Sequence, residues 1–379
     1  MKVGILTQPL YNNYGCLLQA FALYSVLAEM GNDVWIIQRE RPLYNEQSLM
    51  NRIALNLKRR VKSYLGEPVQ YIKTREEMNA ISRNTNIFKD RFIPQRTPLL
   101  LSSKALARYV KKNSFDAFVV GSDQVWRPGY SANIYNYYLD FCKDDRIKRV
   151  AYAASFGVDI WEYSQKETIK CKELARRFDL VSVREISAVQ LCHKQFDVSA
   201  IHVLDPTLLL DKSVYCHLVE LEHEPHSSGS LFYYLLDMNE VKSRTVNDVS
   251  SLLGLSAFTV YPEMPQSEYN IKNRIDKCVF PRVTQWLRAF MDSKMVITDS
   301  FHGCVFSIIF NIPFWVIRNS KRGNARFDSL LSLFDLKGRM IDEENVASVD
   351  YSSAIDWVSV NSKRKELVAK SLEVLDILR

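Results

Sequence analysis

The chain has 379 residues, of which 47% are hydrophobic and 25% charged, with a formal net charge of +7. That length suits two domains, each able to bury its own core, and the composition is that of a globular protein. The longest apolar run, around Cys304–Phe310, falls far short of the eighteen or so residues of a membrane span.

Seven cysteines are scattered without a CxxC pair, which argues against a disulfide framework and a structural zinc site. The adjacent pairs Cys192-His193 and Cys216-His217 read as chance, and no metal is expected. The opening MKVGILTQPL lacks the pattern of a signal peptide, so a cytoplasmic location is expected. The charge is unevenly spread. Residues 51–112 hold fifteen Lys or Arg against four Asp or Glu, a balance of +11 that leaves −4 for the rest. One surface is therefore built for anions.

In chain order, Val3–Leu6 is a strand, Leu17–Met30 a helix closed by Gly31, and Asp33–Gln38 a second buried strand. This is a βαβ unit, the start of a parallel sheet. The stretch that follows, with Pro94 and Pro98, is read as less regular. Phe115–Val120, Val150–Ala154, Leu180–Val183 and Ile201–Leu204 are further strands, with a helix over Lys166–Phe178. The polar run Glu222–Gly229 reads as a linker. The alternation then resumes. Strands are expected at Ser230–Leu236, Ala257–Tyr261, Met295–Thr298 and Phe314–Ile317. Helices are expected at Val241–Leu253, Arg282–Met291, His302–Asn311, Arg326–Phe334 and Lys363–Leu378. The fold class is α/β, with two Rossmann-like domains facing across a cleft. They span 1–222, carrying a basic helical insertion over about 43–112, and 223–379, whose last helix packs back on the first domain.

Three polar clusters fall just beyond strand ends, where such sheets bind ligands. The first is Asn12-Asn13-Tyr14-Gly15 with Gln19 a turn later. Its helix start suits an anion and its amides suit sugar hydroxyls; the plainer reading is an Asn/Gly turn. It has neither GxGxxG nor a Walker loop. The second cluster runs from Gly121 to Trp126, where Ser122, Asp123 and Gln124 could bind hydroxyls and Trp126 could stack on a sugar ring; otherwise Trp126 is core. The third is Asp299-Ser300-Phe301-His302-Gly303, where His302 is the only one of six histidines at a strand-to-helix junction. The plainer reading is a helix cap by Asp299 or Ser300. Arg184 and Arg326, each near a helix start, are candidate anion ligands or surface ion-pair partners.

One helix stands apart. Leu49, Met50, Ile53, Leu57, Val61, Tyr64 and Leu65 share a face, with Arg52, Lys58, Arg59 and Lys62 mainly opposite. A basic amphipathic helix at 48–65 suits an anionic membrane surface, or a core face with solvated charges. No nucleic-acid module accompanies the basic segment, so nucleic acid is not an expected partner.

Taken together and in order, NNYGCLLQA, VVGSDQVWRP, YAASFG, SVRE, LDPTLLL and TDSFHG resemble the polysaccharide pyruvyl transferase family. The resemblance covers most of the chain, but not the stretch between Pro42 and Pro98. It implies a twin-Rossmann fold similar to GT-B glycosyltransferases. It further implies phosphoenolpyruvate as co-substrate, no cofactor, and a sugar of a lipid-linked capsule or exopolysaccharide repeat unit as acceptor. The family's donor-binding Arg matches Arg184, and its Arg-Leu-His-Gly or related motif matches Ser300-Phe301-His302-Gly303. Ser300 stands where many members carry Arg, which leaves Arg326 or Lys294 to supply that charge. With this chemistry, His302 is the expected general acid and Asp123 or Asp299 the base. Asn12, Asn13, Tyr14, Gly15, Gln19, Ser122, Gln124 and Trp126 form the expected acceptor side. Two other readings stay open: a nucleotide-sugar glycosyltransferase, and a glycan-binding protein without catalysis.

Overall fold

The computed structural model describes residues 1–66, 73–263, 274–318 and 323–379; part of the basic insertion, 67–72, lies outside the described residues. Two parallel sheets organise the chain. The first contains β1 (Lys2–Leu6), β2 (Asp33–Ile36), β3 (Ala117–Val120), β4 (Lys148–Ala154), β5 (Leu180–Val183) and β6 (Ile201–His202), in the order β2-β1-β3-β4-β5-β6. The second contains β7 (Leu231–Tyr234), β8 (Ala257–Phe258), β9 (Met295–Thr298), β10 (Phe314–Ile317) and β11 (Met340–Ile341), in the order β11-β10-β9-β7-β8. Every described strand pair is parallel. Such strands are covered on both faces and read as unbroken apolar runs, as AFVV, MVIT and FWVI do here. In each sheet the strand order reverses once, between β1 and β3 and between β7 and β9. Those two reversals are the places where an open parallel sheet leaves a crevice at its carboxyl ends.

The helix Tyr14–Glu29 begins three residues before the predicted Leu17, because the Asn13 side chain accepts from the Cys16 amide at 3.1 Å and caps it. Twelve of its sixteen residues are buried. It is covered so widely because it meets both sheets' helices. Tyr14 stacks on Trp286 at 5.5 Å and donates its hydroxyl to the Pro281 carbonyl at 3.0 Å. Tyr215, in the helix Lys212–Leu221, packs edge-on against Phe306 at 5.0 Å. All ten residues of the helix Phe301–Phe310 are buried, as a helix apolar all round must be. One apolar core therefore runs from Val3 through Tyr14 and Trp286 to Phe306. The linker is pinned as well: Glu222 pairs with Arg91, and Ser227 donates its amide to Asp292 at 2.7 Å.

Within the basic insertion, expected to be helical, the helices Arg75–Ile81, Arg83–Phe92 and Ser103–Lys112 form, with bounds that the sequence reading did not give. Thr74 and Glu77 make a capping box at the first. The helix Lys212–Leu221 and the short strand β11 were not predicted, whereas Ile186–Leu191 is the helix whose start was read beside Arg184. The last helix, Trp357–Glu373, starts before the predicted Lys363 because Asp356 accepts from the Val358 and Ser359 amides, both at 3.1 Å. It lies against the segment after β6: Ser371 accepts from the Leu204 amide at 3.1 Å, and Arg364 donates to the Leu210 carbonyl at 2.6 Å. Among the described residues, no helix is long and apolar enough to cross a membrane.

Candidate active site

The loops leaving β1, β3, β7 and β9 meet over the two strand-order reversals and enclose a cavity of about 360 Å³. Gln8, Asn13, Asp123 and Gln124 line it from the first sheet, and Tyr234, Ser300, Phe301 and His302 from the second. His302 lies in the first turn of the helix Phe301–Phe310, with Ser300 as its cap. Its imidazole presses on the start of the helix Tyr14–Glu29. A Cβ at Gly15 would stand 2.0 Å from His302 Nδ1, so only glycine leaves room for the ring there. On its other side, His302 Nε2 stands 3.6 Å from Asp205 Oδ2, ion-pair distance for a protonated ring but short of a hydrogen bond.

Asp205 follows β6, and Arg184 ends β5. Because Val183 and His202 are in register, the two residues emerge side by side at the same sheet edge. Arg184 Nη1 donates to Asp205 Oδ2 at 2.6 Å, with side chains 2% and 0% exposed. Asp205 also accepts from the Thr207 amide at 3.0 Å and hydroxyl at 2.7 Å, and from Ser122 Oγ at 3.2 Å. Burial alone would raise its carboxyl. His302, Arg184 and Thr207 together outweigh burial and hold it well below the usual carboxylate range. The remaining Arg184 nitrogens, Nε and Nη2, make no hydrogen bond among the described residues. The carboxylates of Asp123 and Glu185 stand 3.7 and 3.9 Å from them. A buried guanidinium with donors left over is poised for an anionic ligand.

Arg326 supplies a second guanidinium from the first turn of the helix Ala325–Leu333. It and Arg184 both approach the Phe301 ring, at 5.7 and 4.5 Å. Burial and the repulsion of Arg184 lower Arg326 to about 10, so it stays charged at neutral pH. Glu185 lies beneath the pair and accepts from Ser155 Oγ. Burial pushes its carboxyl up despite Arg184, Ser155 and Arg326. Ser155 is placed by a register shift in β4, where Ala153 has φ 49°. The helices beginning at Tyr14, Phe301 and Ala325 each put their positive end at this cavity.

Several predicted site residues do other work. Trp126 is fully buried, stacked on Tyr138 at 5.0 Å and donating its ring N–H to the Tyr137 carbonyl, so it is core and not a sugar platform. Tyr14 is a wedge between the two sheets' helices. Gln19 is buried and satisfied, donating to Thr7 at 2.9 Å and accepting from the Ser122 amide at 3.1 Å. Ser122 is buried too, and its hydroxyl braces Asp205. Asp299 accepts from the Leu236 amide at 2.6 Å and from Lys242 Nζ at 2.7 Å. Its carboxylate ties two loops together and is not placed as a base. Lys294 is exposed at the amino end of β9, the opposite end from the cavity, and cannot replace a missing Arg. Gly303 packs on Thr298, where a Cβ would stand 2.2 Å from Oγ1. Asn13 lines the cavity, whereas Asn12 is half-buried beside it with its amide nitrogen unpartnered. Among the residues that sequence reasoning passed over as site members are Asp205, Glu185, Gln8, Tyr130 and Tyr234. Asp205 lay within the quoted LDPTLLL motif, directly after a strand.

Solved structures share this architecture. UDP-GlcNAc 2-epimerase from Methanocaldococcus jannaschii superposes with a TM-score of 0.53 at 11% identity, covering 98% of this chain and 99% of that one. UGT89C1 from Arabidopsis thaliana, solved with quercetin, gives 0.50 at 9% identity, covering 98% of each chain. These likenesses establish the fold, that of GT-B glycosyltransferases and epimerases. No match was found among curated proteins. The sequence matches the family described as polysaccharide pyruvyl transferase over residues 13–321, well over half of its length. The chain belongs to the polysaccharide pyruvyl transferase family.

Proposed function

We propose that the protein moves the pyruvyl group of phosphoenolpyruvate onto two hydroxyls of one sugar in a lipid-linked polysaccharide repeat unit. The reaction closes a cyclic ketal, releases inorganic phosphate and takes place at the cytoplasmic face of the membrane. Family membership supports the reaction class. The observation that carries the residue assignment is His302, held between Gly15 and the Asp205–Arg184 pair in a cavity that also contains Arg326.

Phosphoenolpyruvate carries a carboxylate and a phosphate, and two buried guanidinium groups flanked by helix amino ends suit both. Arg326 takes the part of the Arg that Ser300 displaces. His302 gives a proton to the methylene carbon, which leaves an oxocarbenium-like centre at C2. A sugar hydroxyl attacks C2 and passes its proton to Asp123. The bond from C2 to the phosphate oxygen breaks as Asp123 returns that proton to the departing phosphate, and a second hydroxyl attacks C2, passes its proton to His302 and closes the ketal. Both Asp123 and Asp299 line the cavity, but Asp123 suits the base because its carboxylate is partly exposed, whereas that of Asp299 is fully buried against Lys242. Gln8, Asn13, Gln124 and Tyr130 line the same space as acceptor contacts. The reaction as written uses no cofactor.

The test is phosphate release from phosphoenolpyruvate by purified protein with candidate lipid-linked glycans, while acceptor mass is followed. A mass gain matching a pyruvyl ketal, absent with His302→Ala, is expected. Turnover of a nucleotide-sugar with none of phosphoenolpyruvate would overturn the reading in favour of glycosyl transfer.

A further inference from the structure

The helix Leu49–Tyr64 breaks the pattern of the rest of the molecule. None of its residues is buried. Leu49, Met50, Ile53, Leu57, Val61 and Tyr64 are 51–92% exposed. At about 100° per residue these six fall within an arc of roughly 120°. The half-buried residues Arg52, Leu55 and Arg59 fall on the far side of the helix, so the helix rests on the protein by its polar side and turns its apolar face outward. A soluble helix that packs on a core does the reverse.

We propose that this face docks on an anionic lipid bilayer, with the helix lying flat in the interface. Charge selects that occupant. The segment from Gln47 to Gly66 has five Lys or Arg and no Asp or Glu. Both Lys58 and Arg60 are exposed; Lys58 stands about 60° beyond one end of the apolar arc and Arg60 projects from within its other margin, so that their long side chains would reach lipid phosphates as the apolar side chains enter the acyl boundary. A second copy of the same face would bring like charges together. The mounting is firm. Ser48 caps the helix, and Asn56 donates to the Tyr44 hydroxyl at 2.7 Å. Just before the helix, Glu46 pairs with Arg75 at 2.9 Å, Arg75 with Glu40 at 2.7 Å, and Glu40 accepts from Tyr11, which lines the cavity. The docking face is thus wired to the mouth of the site. Its purpose, delivery of a lipid-linked acceptor, rests on the proposed function; the binding itself does not.

The experiment is co-sedimentation of the full chain with vesicles of phosphatidylcholine alone and of phosphatidylcholine with phosphatidylglycerol. No donor or acceptor is added, so its outcome is independent of the chemistry. Binding only to the anionic vesicles is expected, weakening with salt and falling at least about tenfold in Leu57→Asp and in Lys58→Glu/Arg60→Glu. Circular dichroism and melting should be unaltered, because these side chains are exposed. Failure to bind anionic vesicles, or equal binding by the variants, would overturn the proposal. A dimer in analytical ultracentrifugation that Leu57→Asp dissociates, without vesicle binding, would assign the face to a second copy instead.

Discussion

The cavity and the helix Leu49–Tyr64 invert the ordinary rule of burial in opposite directions. In the cavity, Arg184, Asp205, Glu185 and Arg326 are charged groups held at 7% exposure or less. On the helix, six large apolar side chains stand open to solvent. Either arrangement costs stability unless something repays it, and buried charges and exposed apolar patches are both uncommon enough to mark function. The means of support differ. The charges are fixed by a shared core and by ion pairs that span strands and sheets. The apolar face is carried by a mount that includes Tyr44, Glu46 and Arg75. Damage at the cavity should therefore destroy chemistry, whereas damage at the helix should only relocate the protein.

The largest effect should come from His302. His302→Ala is expected to lower turnover by about 10²- to 10⁴-fold, the usual worth of a positioned acid, with its melting temperature little changed. Phosphate-release kinetics beside a melting curve separate the two. Should turnover survive, the proton comes from elsewhere and the cavity's charges serve binding alone. Gly15→Ala comes next. Its new methyl would stand 2.0 Å from the imidazole, and an ångström of displacement at a reacting group costs about a hundredfold. The expected signature is a fall in kcat at unchanged KM for phosphoenolpyruvate, since Arg184 and Arg326 are untouched.

At the helix, Leu57→Asp should spare turnover of a water-soluble glycan acceptor and lower turnover of a vesicle-borne one by about tenfold. Equal losses on both acceptors would erase the distinction between the two regions.

A smaller effect separates two carboxylates within the cavity. Asp205 is held below its usual range, so its contribution to stability is present above the unfolded value of about 3.9 and is lost as pH falls below it. Glu185 is shifted upward, so its contribution is full below about 4.3 and is lost as pH rises through the folded value. Of these two carboxylates, then, Glu185 is the one that makes stability fall as pH rises above about 5. Glu185→Gln should make melting temperature fall less steeply with pH between about 5 and 7 and leave in place the acid limb, to which Asp205 contributes.

The sequence foretold the helix Leu49–Tyr64 and the strand-end residues of the cavity, but not the contacts that assemble the cavity. The strands β5, β9 and β10 matched their predicted bounds because buried parallel strands are continuous apolar runs. His302, Arg184 and Arg326 were found because each stands at a strand or helix end. Trp126 misled because the same strand-to-loop pattern serves a sugar platform and a core wedge, and burial is set by Tyr138 and Phe156, which are distant in sequence. Asp205 needed the β5–β6 register before its pairing with Arg184 could be seen. The bounds of the helices from Arg75 to Lys112 were hidden by polarity and by the flanking prolines, although Thr74 and Glu77 had the spacing of a capping box.

Lys294 offers the smallest expected effect and the sharpest check on where the donor's charge is held. Sequence alone made it as eligible as Arg326 to replace the Arg lost at Ser300. Geometry separates them, since a four-residue strand, at about 3.3 Å per residue, puts Lys294 roughly 13 Å from the end of β9 that bears His302. It is exposed, so Lys294→Ala should change stability by no more than about 0.5 kcal/mol and leave KM for phosphoenolpyruvate unaltered. Arg326→Ala should raise that KM by about tenfold or more, as loss of a charge-assisted contact of about 1.5–3 kcal/mol predicts. If the two variants behaved in the opposite sense, the cavity between the sheets would not be where phosphoenolpyruvate binds. The pairing of Asp205 with His302 would then be there to join the two sheets, with the charge that serves the donor lying at the far end of β9.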